Sequence, residues 1–222
     1  TKYFAGIGKS SRVPDARELY MGANNDLEDT KNYEADLGFD KTIGSFNIRP
    51  KLFYSVLKDY IYNSGTFENI DAKIYGLDVS GFYFMTDDLS LDYGIAYQRG
   101  KKDENVADKD LAEIPPLKAN LALNYEQAKA KYTAEVVAVD RWDSYDISAK
   151  EQELSGYALF NLKYTNQLHK NIGLTLGLDN VFDKVYNSTN TYQDIRYVEV
   201  GCEQILFNDP GRYGYVNLKY SF

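Results

Sequence analysis

The segment Gly214–Phe222, GYVNLKYSF, alternates without a break. Gly214, Val216, Leu218, Tyr220 and Phe222 fall on one side of an extended chain; Tyr215, Asn217, Lys219 and Ser221 fall on the other. Such a strand has one greasy face and one wet face. It also closes on an aromatic residue with no polar tail, where soluble chains fray. An interfacial aromatic at a strand end suits the wall of an outer-membrane β-barrel.

The same pattern recurs upstream. Ten strands are predicted at 3–9, 33–41, 45–56, 75–85, 89–99, 117–125, 131–140, 157–164, 172–181 and 212–222. Leu89, Leu91, Tyr93, Ile95 and Tyr97 oppose Ser90, Asp92, Gly94, Ala96 and Gln98; Ile172, Leu174, Leu176 and Leu178 oppose Gly173, Thr175, Gly177 and Asp179. The connections strictly alternate in length. Short ones are expected at 42–44, 86–88, 126–130 and 165–171, and long ones at 10–32, 59–74, 100–116, 141–156 and 183–211. In an up-and-down barrel this puts every tight turn at one rim and every long loop at the other. A soluble sandwich gives no reason for such order.

Bulk composition agrees. A net charge of -8 argues against nucleic-acid binding, which wants a basic stripe. Mean hydropathy is -0.50, and no apolar run approaches the roughly 18 residues of a membrane helix, but barrel strands are only half apolar. Tyr is abundant, 21 residues against 11 Phe and 1 Trp, and its apolar ring with a polar tip fits a membrane–water interface. Tyr54, Tyr60, Tyr62, Tyr83, Tyr93, Tyr97, Tyr125, Tyr132, Tyr164, Tyr186 and Tyr220 sit at or near predicted strand ends, either as an aromatic girdle or simply as good strand formers. Cys202 is the single cysteine, which excludes an internal disulfide. No export leader precedes Thr1, so the chain is expected to be processed or part of a longer one.

Three segments carry a family resemblance. Tyr3–Tyr20, YFAGIGKSSRVPDARELY, is similar to the strand and F-R-A-P-x-x-x-E-L-Y-type loop of TonB-dependent outer-membrane receptors, with Arg12, Pro14, Glu18, Leu19 and Tyr20 in place. Leu176–Tyr186, LGLDNVFDKVY, resembles that family's N-L-F-D-x-x-Y segment, with Val181 for Leu. Pro210–Phe222, PGRYGYVNLKYSF, resembles its P-G-R opening and final strand. The resemblance covers nearly the whole chain. It implies an all-β, antiparallel transmembrane barrel segment of about ten strands, the last ten of 22, with the plug and earlier strands elsewhere. It also implies that Tyr220 and Phe222 are read by the barrel-assembly machinery.

Read locally, the same motifs have structural roles. Asp179, Asn180 and Asp183 can bond to backbone where a strand gives way to a loop. Pro14 cannot donate to a ladder, and Pro210-Gly211 is a turn signal.

Cations and aromatics gather on the long-loop side. Arg12, Arg17, Arg99, Lys101, Lys102, Arg141 and Arg196, with Trp142, Tyr145, Tyr192 and Tyr197, are candidates to hold an anionic, aromatic metal chelate by charge and stacking; contact with lipopolysaccharide phosphates or plain solvation is the other reading. On the wet face, Asp36, Asp78, Asp92, Lys118 and Glu135 are candidates to meet the plug. Met21, Met85, His169 and Cys202 do not converge in this map, so no metal site and no cofactor is expected. Asp26, Glu28 and Asp29 form a small acidic cluster, read as a solvated loop.

The expected function is TonB-dependent uptake of a metal chelate, siderophore-iron first. Copper stays open because RVPDARELY resembles the copper-receptor branch, and cobalamin stays open as well. TonB is the expected partner through the plug, and lipid and lipopolysaccharide the surroundings. A passive porin or adhesin barrel is one alternative. A ten-stranded outer-membrane protease is the other; its catalytic His belongs at the extracellular rim, whereas His169 falls in a short turn.

Overall fold

The computed structural model describes residues 1–20, 26–104, 106–189 and 208–222. Ten strands follow one another: β1 (Lys2–Arg12), β2 (Thr30–Ile43), β3 (Phe46–Asn63), β4 (Phe67–Phe84), β5 (Leu89–Lys102), β6 (Lys118–Gln127), β7 (Ala130–Val139), β8 (Tyr157–His169), β9 (Ile172–Asp179) and β10 (Tyr213–Tyr220). A short helix, α1 (Ala16–Tyr20), lies between β1 and β2. The strands form one sheet in sequence order, each antiparallel to its neighbours. No described helix is long and apolar enough to cross a membrane, which leaves crossing by strands open.

Register separates the residues as the alternation requires. Tyr33, Leu37, Leu52, Tyr54, Leu121, Val216 and Leu218 stand on one exposed, apolar face. The opposite face is polar and stitched across strands. Lys51 meets Asp36 at 2.8 Å, and Arg49 meets Asp40 at 2.9 Å. Ser55 donates to Glu34 (2.7 Å), Asn124 to Asp92 (2.8 Å) and Asn161 to Glu135 (3.0 Å). Aromatics on this face, Phe4 beside Gly38 among them, lie against a glycine of the neighbouring strand. A Cβ at Gly76 would run into the Phe53 ring, and one at Gly177 into the Tyr215 ring.

Aromatics edge the apolar face at two heights. Phe46 stacks on Tyr93 (5.9 Å), and Tyr132 contacts both Tyr125 (6.2 Å) and Tyr164 (5.0 Å), all beside the tight turns. Tyr54 stacks on Tyr75 (6.4 Å) toward the long loops, with Tyr33 opposite Val56 and Tyr97 opposite Leu77 on the flanking strands. From Tyr75 to Tyr83 the strand advances about 26 Å at about 3.3 Å per residue. With a strand tilt of about 40° that run rises about 20 Å, the greater part of an apolar band roughly 25 Å tall.

The tight turns at 44–45, 85–88, 128–129 and 170–171 share one rim, as the length alternation requires. One long connection is different from its expectation. Residues 59–74 are not a loop: β3 and β4 stay paired to Asn63 and Phe67. A β-bulge between Leu57 and Tyr60, with Asp59 at φ 54, inserts one residue and shifts the alternation. Tyr60 and Tyr62 thereby join Leu57 on the polar-face side, outside the girdle. Gly65, at φ 115, closes the turn, where Asn63 Oδ1 accepts from its N–H (3.0 Å).

Candidate functional site

The β3–β4 extension is the scaffold of the long-loop rim. On its polar-face side, the segments 103–117 and 140–156 fold back to bury an apolar cluster. Leu57, Tyr62, Ile70, Ala72, Leu111 and Ala149 form it, with Tyr60 and Ile114 packed against it. Most of the buried apolar residues of the described chain are here, rather than between the sheet's two faces.

A charged centre sits within this cluster. The Lys102 ammonium, 5% exposed, meets the fully buried Asp146 carboxylate at 2.9 Å. Tyr62 donates its hydroxyl proton to the other Asp146 oxygen (2.7 Å). Burial, then the Asp146 charge, pushes the Tyr62 phenol far above its usual range. Glu151 joins the two segments: its carboxylate accepts from the N–H of Glu113 (2.8 Å) and of Asp146 (2.8 Å). Burial raises the Glu151 pKa above the ordinary carboxylate value, while those two N–H groups pull it back. Asp108 accepts from the Ile147 N–H (2.8 Å), a further tie between the segments.

On the opposite side of the extension, Asn69 fixes the start of β2. It accepts from the Glu28 N–H (2.8 Å) and donates to the Glu28 carbonyl (3.1 Å). The Thr30 hydroxyl donates to Asp59 O and accepts from the Ile61 N–H, each 3.1 Å.

Pro14 follows the end of β1, and α1 begins two residues later with a capping box. Asp15 Oδ1 accepts from the Glu18 N–H (2.9 Å), and Glu18 accepts from the Asp15 N–H (2.7 Å). Both Glu18 oxygens also accept from Arg12, at 2.8 Å each. This charge-assisted fork lowers the Glu18 pKa. Arg12, Glu18, Tyr60, Tyr62, Asn63 and Glu113 line a polar cavity of about 250 Å³.

The expected cation–aromatic patch is divided: Lys102 is buried against Asp146, Lys101 pairs with Asp110, and the rest fall in two places. Arg12 and Arg17 border the cavity just described. Arg99, Arg141, Trp142 and Asp143 share a separate cleft. There Arg99 alternates onto the apolar, outward side, lies over the Tyr97 ring at 5.7 Å and donates to its hydroxyl (3.1 Å). Arg141 reaches Asp143 (3.6 Å) and Glu153 (3.5 Å). Trp142 is buried and pairs through its backbone with Leu154, and Tyr145 is half-buried. Tyr192, Arg196 and Tyr197, like Met21 and Cys202, lie outside the described residues.

Asp36, Asp78, Asp92, Lys118 and Glu135 all fall on the polar face. Tyr220 and Phe222 are exposed with ring centroids 6.1 Å apart, and the strand end is pinned by Asn171, which donates to Ser221 O (2.6 Å). Met85 and His169 stand at the tight-turn rim. No group of three or more His, Cys, Asp or Glu side chains among the described residues is placed to hold a metal.

The LDNVFDKVY motif makes an elbow. Asn180, 2% exposed and at φ 50, accepts from the Lys184 N–H and donates to its carbonyl, each 2.8 Å. Asp183 accepts from the Arg212 N–H (2.7 Å), which aims the chain into β10. Two of the motif's polar residues thus act on the backbone, as their local chemistry predicts.

Residues 1–181 match the family described as TonB dependent receptor-like, beta-barrel. The chain belongs to that family. Its sequence is 26% identical over 207 residues to the vitamin B12 transporter BtuB of Photobacterium profundum, covering 86% of this chain and 33% of that protein. It is 28% identical over 166 residues to the ferric enterobactin receptor of Pseudomonas aeruginosa, covering 70% of this chain and 22% of that one. Among solved structures, the copper transporter OprC superposes with a TM-score of 0.84 at 23% identity over 99% of this chain and 37% of its own, a likeness of fold. The FrpB iron transporter of Neisseria meningitidis gives 0.73 at 16% identity over 99% of this chain and 37% of its own. The chain therefore spans about a third of the proteins it matches. It is an outer-membrane β-barrel segment of a family of receptors and transporters, not enzymes.

Proposed function

We propose that this chain is the closing part of the barrel of a TonB-dependent transporter for a metal chelate, siderophore-bound iron first. The observation that carries this is the folding of 103–117 and 140–156 over the polar-face side of the β3–β4 extension, locked by Asp146. Such a rim is a preshaped vestibule above a hydrophilic lumen, whereas a passive pore has no need of one. The edges of β1 and β10 would be closed by the barrel's remaining strands, because open sheet edges do not occur in hydrocarbon. The plug would sit against Asp36, Asp78, Asp92, Lys118 and Glu135, and would carry the TonB contact. Arg17, Arg141 and Tyr145 are the described loop residues best placed to meet cargo.

Binding to the full-length receptor separates the cargo classes. Ferric catecholate, cupric ion and cyanocobalamin are titrated in turn, with binding followed by calorimetry. Saturable binding of the ferric catecholate alone is expected. Saturation by cyanocobalamin or cupric ion instead would replace the iron reading, and binding of none would overturn the metal-chelate class.

A further inference from the structure

The polar face carries cations of two kinds. Arg49 meets Asp40, Lys51 meets Asp36, and Lys131 meets Glu126 at 2.9 Å. Lys118, Lys163 and Lys219 stand on the same face, are exposed, and form no ion pair among the described residues. Lys118 belongs with the plug-facing candidates. The other two stand apart from them, on β8 and β10.

Register sets both against glycines of the strand between them. Lys163 is directly opposite Gly177, and Lys219 directly opposite Gly173. The inward positions of β9 here are Gly173, Thr175 and Gly177, so no long side chain of β9 rises to cover either ammonium group. Tyr215, also opposite Gly177, lies down against that glycine instead of rising into the lumen. Two carboxylates of this wall are held by neutral partners: Glu135 accepts from Asn161 (3.0 Å), and Asp179 from the Tyr213 hydroxyl. Gly173 follows the tight turn at 170–171, so Lys219 stands by the tight-turn rim and Lys163 above it. The two are about 13 Å apart along the strands and two strand spacings across, about 16 Å in all. That exceeds the Debye length of about 8 Å, so they act as two separate steps rather than one field.

We propose that Lys163 and Lys219 form two successive weak stations on the lumen wall for an anionic metal chelate on its way to the tight-turn rim. The inference rests on the siderophore-iron reading of the cargo given above. An uncovered ammonium offers three N–H donors to passing anionic oxygens. One exposed point charge holds such an anion weakly, as passage requires, because a tight site would trap it. A fixed protein partner is anchored instead by large side chains in packed pockets. Between these lysines the wall offers only Gly173, Thr175 and Gly177, which suits moving cargo better than a docked segment of the plug.

The test uses the full-length receptor in cells, with a ferric catecholate as the probe. Surface binding is measured with the proton-motive force collapsed, and uptake with it intact. Lys163→Gln with Lys219→Gln is expected to leave the binding constant unchanged and to lower the uptake rate roughly tenfold, the low end of electrostatic steering. Lys163→Arg with Lys219→Arg keeps both charges and should keep the uptake. Entry of vancomycin, which a barrel with a loosened plug would admit, should stay at the wild-type level in both. Unchanged uptake in the double Gln receptor overturns the inference, and so does uptake lost equally in the double Arg receptor. Vancomycin entry that rises with the Gln changes would make the lysines plug contacts and overturn it as well. If the double Gln receptor fails to assemble, Lys219→Gln alone is read by the same measures. A wild-type receptor that takes up no ferric catecholate overturns the cargo reading and this inference with it; uptake by the wild type that the Gln changes leave intact overturns this inference alone.

Discussion

Lys102 at the end of β5 and Asp146 in the segment 140–156 meet at 2.9 Å, 44 residues apart in sequence, where Asp146 has no solvent exposure. This pair ties the inward fold of the loops to the sheet. Removing one partner leaves a buried charge uncompensated, which costs about 3–5 kcal/mol. Lys102→Met in the full-length receptor should raise amide hydrogen exchange in 140–156 and 103–117 together, since Glu151 couples them. Exchange that rises in only one segment would show that they are not a unit. Lys102→Met with Asp146→Leu should cost less than the two single changes added.

The rim should also respond to acid through Glu18. Its folded pKa is lowered by the Arg12 fork, so its contribution to stability is complete above the ordinary value of 4.5 and is lost as pH falls below that. Hydrogen exchange in 14–20, corrected for intrinsic rate, should rise roughly tenfold when the fork is lost, the equivalent of one charge-assisted hydrogen bond. Arg12→Gln should give that faster exchange already at neutral pH and remove most of the acid step. An acid step of the same size in Arg12→Gln would assign the response to another group.

The Asn180 elbow gives a third expectation. Asn180→Ala loses two hydrogen bonds to Lys184 and places a Cβ residue without local bonds at φ 50. The cost should be about 2–3 kcal/mol, from roughly 1 kcal/mol per bond and a similar strain. Asn180→Gly loses the bonds without the strain and should cost less. The temperature at which the folded barrel loses its compact mobility on a denaturing gel checks the order; a glycine variant as unstable as the alanine one would remove strain from the account.

What the sequence makes legible follows from physical range. Alternation is local, so the ten strands, their order and their polar and apolar faces can be read from runs such as Leu89–Tyr97. The β3–β4 extension is hidden because the bulge at Asp59 breaks the period, and Leu57, Tyr60 and Tyr62 no longer read as one face. The missed α1 does carry a signal, the Asp15-x-x-Glu18 box after Pro14. The Lys102–Asp146–Tyr62 centre carries none, because its members come from three segments that only tertiary folding brings together. Nearness to a loop groups Arg99 with the cargo-facing cations, yet its alternation parity with Tyr97 puts it outward, which the sequence already contains.

Energised uptake tests the central claim most directly. Cells lacking their own receptor for a ferric catecholate are given the full-length gene, and uptake of the radiolabelled iron chelate is followed before and after the proton-motive force is collapsed. Accumulation that stops with collapse, and that is equally absent in cells without TonB, is the result expected of a TonB-dependent transporter. Uptake that continues at the same rate without proton-motive force would make the barrel a passive pore and contradict the account.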